Sequence, residues 1–266
     1  MATYTSVMRF IGPGLKENEL PFIRTNPAPE YKYMNFEWVD RDVQITDARP
    51  QRGEFSLDSH GFAYRDDPEG ATPAMLQLLR DNNAEQIKKV YYPHIEQLIK
   101  EETGASRVVI FDHTSRKRRP ELGMYENPTG KEQPATMVHC DQSTKGALRR
   151  LEQNVEGDID EILKKRVIMI NIWRPLRGPV EDWPLATMDY RTCHPKTIYP
   201  TDLLNNTDEY RGQTVTFGYT DEQKWYYLDA QKTNEVILIK IWDSKDDVDA
   251  KREPYFFTVL ATSLYS

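Results

Sequence analysis

The sequence predicts a mainly β protein with flanking helices, a sandwich or barrel packed on one side by helical segments. Apolar residues recur at helical spacing in 72–103 and near 144–164, while the chain from residue 166 onward is rich in strand-like runs. Helices followed by a run of strands are the order expected when helices lie against one side of a β core. Hydrophobic residues make up 38% of the 266 residues and aromatics 11%, enough to fill such a core. Nothing in the composition reads as a linker, so residues 1–266 are taken as one domain of ordinary size.

Taken in order, residues 5–11 and 43–49 read as short strands, separated by a Pro-rich segment, 21–29, expected to be extended loop. Thr72 is placed to cap a helix with Pro73 in its first turn, Pro93 is expected to split 72–103 into two helices, and Gly104 to end the second. "SRVVIFDHTSR" (106–116) follows as a strand. After a Pro/Gly-rich loop at 120–134, "TMVHCDQST" (136–144) reads as another strand, with a helical stretch over 144–164 behind it. The remaining strands are "RVIMINIW", "PLATMDY", "QTVTFGY", "KWYYLDA" and "EVILIKIWDS".

A formal charge of −7 argues against a general nucleic-acid binder, which needs a basic face to displace counterions. The run "RKRR" at 116–119 is either a targeting or anion-binding patch or a solvated face. Two cysteines, Cys140 and Cys193, without C-x-x-C spacing are expected to be reduced. The sequon at Asn205 carries little weight, because the start of the chain lacks a basic segment followed by an apolar core. No stretch approaches the roughly 18 apolar residues of a membrane span, and a cytoplasmic location is expected.

The chemistry-bearing feature is His139-x-Asp141. In a strand, residues i and i+2 project from one face, which sets an imidazole beside a carboxylate. That is two thirds of the two-His-one-carboxylate triad that holds non-haem Fe(II); the spacing alone is weak evidence, because His-x-Asp is common by chance and a strand-end pair can merely hydrogen-bond loops. The sequence contains no G-x-S-x-G elbow, P-loop, dinucleotide glycine fingerprint or H-E-x-x-H helix.

Together with "VHCDQS", three stretches resemble the fungal hydroxylase/desaturase family that includes the AsaB-type and gibberellin-desaturase-like proteins: "TGASRVVIFDHTSRKRR" (103–119), "RVIMINIWRPLRGPVEDWPLATMDYRT" (166–192) and "ILIKIWDSKDD" (237–247). The resemblance divides the chain into an N-terminal extension (1–60), a family-like core (61–253) and a divergent C-terminus (254–266). It implies a double-stranded β-helix, or jelly-roll, core and an Fe(II)/2-oxoglutarate-dependent hydroxylase or desaturase acting on a small molecule of secondary metabolism. His139 and Asp141 fall where the family places its first two iron ligands. Asn171, Trp173 and Arg174 are expected to face the same cavity, with Asn171 and Arg174 as catalytic candidates. The Arg174 guanidinium either binds a carboxylate of 2-oxoglutarate or substrate, or pairs with Asp182 or Asp189. Trp173, Trp183 and Tyr190 are candidates for the substrate wall, although aromatics also fill cores. His113 matches the family pattern but also reads as a hydrogen-bonded strand-end residue, and His194 as surface.

The family pattern continues to a Pro-His pair that supplies the third ligand and then to a strand bearing an arginine. This sequence has Pro254-Tyr255 there and no histidine after His194, so the last strand is expected to be incomplete. Three explanations stand open: a gene model ending in unrelated residues, a redox-silent isomerase or cyclase, or a substitute third ligand such as Tyr255 or water, with an inert small-molecule binder as the limiting case. Weak Fe(II) binding is expected in each. Oligomeric state is not legible.

Overall fold

The computed structural model describes residues 2–25, 27–119, 121–122, 134–245 and, for the backbone alone, 261–265. In chain order the strands are β1 (Thr3–Ile11), β2 (Phe22–Arg24), β3 (Trp38–Asp47), β4 (Phe62–Asp66), β5 (Asp112–Arg116), β6 (His139–Cys140), β7 (Ile168–Pro175), β8 (Thr187–Met188), β9 (Ile198–Leu204), β10 (Tyr210–Phe217), β11 (Trp225–Tyr227), β12 (Glu235–Asp243) and β13 (Ala261–Tyr265). The helices are α1 (Pro73–Asp81), α2 (Ala84–Gln86), α3 (Tyr92–Thr103), α4 (Thr144–Asn154) and α5 (Ile159–Leu163). Three sheets result, ordered β1-β3-β11-β8, β2-β9-β10-β6 and β4-β12-β7-β13-β5. The expected mainly β architecture with flanking helices is what the chain adopts.

Sheet β4-β12-β7-β13-β5 has a buried surface on each side, which is why "EVILIKIWD" reads as almost unbroken apolar sequence. On one side Ile170, Ile172, Val236 and Leu238 pack against Leu76, Leu79, Ile87, Tyr91, Ile95 and Ile99 of the helical layer. On the other, Met169, Ile241 and Trp242 join Phe10, Val43, Ile45, Val215, Phe217 and Trp225 from the remaining sheets. The apolar stripe of α1 and α3 thus finds its partner in alternate residues of β7 and β12.

Several boundaries differ from the sequence expectation. Helix α1 starts as expected, with Thr72 Oγ1 accepting the Met75 N–H at 3.3 Å, but ends at Asn82, whose left-handed backbone (φ 52°) closes the turn. At Pro93 the helix is not cut in two: α2 runs through a π turn (Ile87–Tyr91) into α3, and that turn lies directly before Pro93, which cannot continue a regular α-helical ladder. The helical stretch 144–164 is two helices parted near Gly157, which has φ 122°. Only Asp112–Arg116 of the strand expected over 106–116 pairs, while Val108, Ile110 and Phe111 pack under the helices instead. Strands β2, β4 and β9 were not foreseen; β2 lies inside the supposed loop, and β9 contains Pro200. The last strand is not missing from the backbone, since β13 lies between β7 and β5, parallel to both. In the N-terminal segment β1 and β3 pair with each other, and Tyr4–Met8 and Ile45 line the central cavity.

Candidate active site

Strand β6 is only two residues long, paired with β10 through Cys140 opposite Val215 and His139 opposite Thr216. The chain then bends at Asp141 and enters α4, whose cap is Ser143: its Oγ accepts the Gly146 N–H at 3.1 Å and donates to Gln213 Oε1 at 2.6 Å. A Cβ on Gly146 would lie 2.4 Å from the Gln213 carbonyl oxygen, so the helix can approach β10 this closely only with glycine there. This fixture holds the end of β6. It sets His139 Nε2 3.2 Å from Asp141 Oδ1, as the i, i+2 spacing predicts.

Both side chains are further constrained. His139 Nδ1 lies 2.8 Å from the Met137 carbonyl oxygen, which can only accept, so the Nδ1 proton is fixed and Nε2 is directed at the carboxylate. Asn171 Nδ2 donates to Asp141 Oδ2 at 2.7 Å, engaging one carboxylate oxygen and leaving Oδ1 beside the imidazole. Desolvation pulls the His139 pKa down, but the hydrogen bond and charge of Asp141, with the Met137 carbonyl, outweigh it and the net direction is up. For Asp141, desolvation pushes up, while His139, Asn171 and the Arg116 guanidinium hold the carboxyl below its ordinary value.

The pair lies on a cavity of about 840 Å³. Trp173, Trp183, Leu185, Phe217, Trp225 and Ile239 contribute to its largely apolar wall, and Tyr190 joins them, as do residues Tyr4–Met8 of β1. The expected aromatic wall is therefore present. Trp183 holds a left-handed backbone (φ 59°), with the Arg118 guanidinium 4.8 Å from its ring centre and paired to Asp182. Two residues of the basic run, Arg116 and Arg118, thus belong to the site and its rim, while Lys117 is exposed.

Arg174 is the correction. It was expected to face the cavity with Asn171 and Trp173, but side chains alternate along a strand, so residues 171 and 173 share one face and 174 takes the other. Its guanidinium is fully buried beneath the helices, paired with Asp67 and donating to Tyr91 Oη at 2.9 Å and the Thr233 carbonyl at 2.7 Å. Neither Asp182 nor Asp189 is its partner, and among the described residues nothing leaves it available to a cosubstrate carboxylate. His113 bonds Tyr92 Oη through Nδ1 at 2.7 Å, as the strand-end reading has it, and His194 is an exposed turn residue. Neither Cys140 nor Cys193 forms a disulfide among the described residues, and burial pushes the Cys193 thiol up to about 12.

Two cavity residues escaped the sequence reading. Lys240, nearly buried, lies in the wall with Nζ 3.0 Å from Asp243 Oδ2; the signal was a lone lysine inside "ILIKIW". His60 lies in the wall at the start of β4, and no local motif marks it.

The donor set suits Fe(II): one imidazole nitrogen and one carboxylate oxygen, oriented by their own partners and facing open volume. Among the described residues no third His, Cys, Asp or Glu joins them within ligating reach, and Tyr255 lies outside those residues.

A family model described as an oxidoreductase/YMDC permease-like domain matches residues 8–256. The Fe(II)/2-oxoglutarate-dependent dioxygenase nvfI of Aspergillus novofumigatus is 33% identical over 240 residues, 90% of this chain and 84% of that one. The chain belongs to this oxidoreductase family. Another relative, the hydroxylase/desaturase efuI of Hormonema carpetanum, is 32% identical over 80% of this chain and 75% of its own. The solved structure of the iron and alpha-ketoglutarate-dependent endoperoxidase NvfI matches with a TM-score of 0.84 at 31% identity, covering 96% of this chain and 90% of that one. The family likeness read from the sequence and the jelly-roll core it implied both hold. Among the described residues no helix is long and apolar enough to cross a membrane.

Proposed function

We propose that the chain is an Fe(II)/2-oxoglutarate-dependent hydroxylase or desaturase acting on a small molecule of secondary metabolism, in which His139 and Asp141 hold the metal at the cavity wall. The observation that carries this is the opposed His139 Nε2 and Asp141 Oδ1, each oriented by a partner of its own. Iron with its cosubstrate supplies oxidation by O₂, coupled to conversion of 2-oxoglutarate to succinate and CO₂. The chain's own residues do the rest. Asn171 keeps the Asp141 carboxylate from rotating, so its role is positioning rather than catalysis. The aromatic wall excludes water from the reacting carbon and limits side reactions. Residues 1–266 act as one unit, because the N-terminal strand forms part of the wall.

Arg174 supports the fold in this reading, not the cosubstrate. A second reading, a redox-silent isomerase, cyclase or small-molecule binder on the same scaffold, draws on the fact that the described residues bring together two ligating side chains, not three. The test is succinate release from 2-oxoglutarate with added Fe(II) under air, in wild-type protein and His139→Ala. Release that depends on His139 supports the oxygenase; none from folded wild-type protein turns the choice to the second reading.

A further inference from the structure

His60 is held more tightly than a loop residue needs to be. Its N–H donates to the Ser56 carbonyl at 2.9 Å, and its own carbonyl accepts the Tyr190 N–H at 3.1 Å, so the backbone is pinned on two sides. The ring packs edge-on against Phe55, with centroids 4.9 Å apart, and against Phe62 at 6.1 Å. Its Nδ1 lies 2.6 Å from Ser59 Oγ and 3.4 Å from the Ser56 backbone nitrogen, and Ser59 Oγ is itself 2.7 Å from Ser56 Oγ. A backbone amide can only donate, so Nδ1 carries the lone pair and the proton of the neutral ring sits on Nε2. Burial, the largest influence, and then the charge of Arg191 lower the His60 pKa against the opposing pull of Asp189 and Glu54, which keeps the ring neutral.

His60 lines the cavity, and its Nε2 has no protein hydrogen-bond partner among the described residues. Nε2 is not sealed in protein but open to the cavity, where a ligand atom can meet it. The rest of the wall says what the ligand is not. Lys240 is the one Lys or Arg among the described lining residues, and Asp243 and Asp58 pair with it, so the wall offers an anionic substrate body no spare positive charge; a 2-oxoglutarate carboxylate would find its positive partner in the metal.

We infer that His60 is a specificity-determining residue: its Nε2–H reads a carbonyl, ether or hydroxyl oxygen on a neutral, largely apolar ligand. The inference rests on the reading of the cavity as a substrate chamber, but not on a metal at its wall. It deepens that reading by naming the class of ligand and the atom that orients it.

The probes are 9-fluorenone and fluorene, tricycles of the same outline that differ by one carbonyl. Their dissociation constants are measured by equilibrium dialysis against wild-type protein, His60→Phe and His60→Gln, with thermal melts confirming that each variant is folded. The ratio of ketone to hydrocarbon affinity is expected to fall about tenfold in His60→Phe, the worth of one hydrogen bond in an apolar site, and to be largely retained in His60→Gln, which keeps an N–H donor. An unchanged ratio in His60→Phe, with the hydrocarbon still bound, overturns the role of His60 and leaves the chamber intact. Failure of both probes to bind wild-type protein overturns the chamber reading and this inference with it. An ¹⁵N spectrum of the wild-type imidazole showing Nδ1 protonated and Nε2 bare would also overturn it.

Discussion

The two faces of β7 set polar side chains to opposite uses. On the helix-facing side, Arg174 is surrounded by Asp67, Tyr91 and Thr233 and has no donor directed at open volume among the described residues. On the cavity side, three residues and one residue away, Asn171 and Trp173 face the open chamber, and Asn171 holds one oxygen of a carboxylate whose other oxygen lies beside His139 at the cavity wall. A buried polar group whose partners are all protein supports the fold. One that orients another group toward a cavity supports a site.

The largest effect expected from breaking this contrast is on the helix side. Arg174→Met leaves the nearly buried Asp67 carboxylate with His94 and the Gly70 N–H as its partners, and is expected to cost about 3 kcal/mol in urea unfolding, the low end of the penalty for removing one partner of a buried pair. Asp141→Ala, which removes only a half-exposed pair, is expected to change stability by no more than about 1 kcal/mol. Equal losses from the two would erase the distinction between the faces.

Acid sharpens the contrast next. Burial pushes the Asp67 carboxyl up, but the hydrogen bond from His94 and the charges of Arg174 and His94 outweigh it and hold the carboxyl below its ordinary value. A carboxyl depressed in the folded state contributes stability that is complete above its unfolded value, about pH 4, and is lost as pH falls through the folded one. Unfolding followed from pH 6 to pH 2 is expected to show a steep acid limb that flattens in Asp67→Asn. An acid limb of equal slope in that variant would mean that other carboxylates carry it.

On the cavity side the effect moves from stability to ligand binding. Asn171→Leu, close to isosteric but without a donor, is expected to weaken Co(II) binding about ten- to hundredfold, the range found when a group orienting a metal ligand is removed. The melting temperature should shift far less than in Arg174→Met. Unchanged Co(II) affinity would mean that Asp141 is oriented without Asn171.

How much of this the sequence showed follows from the range of the signals. The His139-x-Asp141 spacing is local, and β6, though only two residues long, still places the pair side by side. The apolar runs of β7 and β12 and the cap at Thr72 are local too, and each forms where expected. Arg174 was misplaced by overlooking the two-residue period of the strand that carries it, a rule available in the sequence itself. Its partner Asp67 lies over a hundred residues earlier, in a segment without any motif, and no local pattern could name it. His60 was invisible for a similar reason, since its place in the cavity depends on how the loop before β4 meets the segment at Tyr190. The strand β9 was hidden by Pro200 and by weak alternation, and tertiary pairing with β10 overrides both.

The central claim is that His139 and Asp141 form a metal clamp at the cavity wall, and calorimetric titration with Co(II) under argon tests it most directly. Wild-type protein is expected to bind one equivalent, more weakly than a full three-residue triad would, and Asp141→Ala to bind none while melting within a few degrees of wild type. Binding in Asp141→Ala that matches wild type, or a variant that unfolds while its Co(II) affinity survives, would contradict the account.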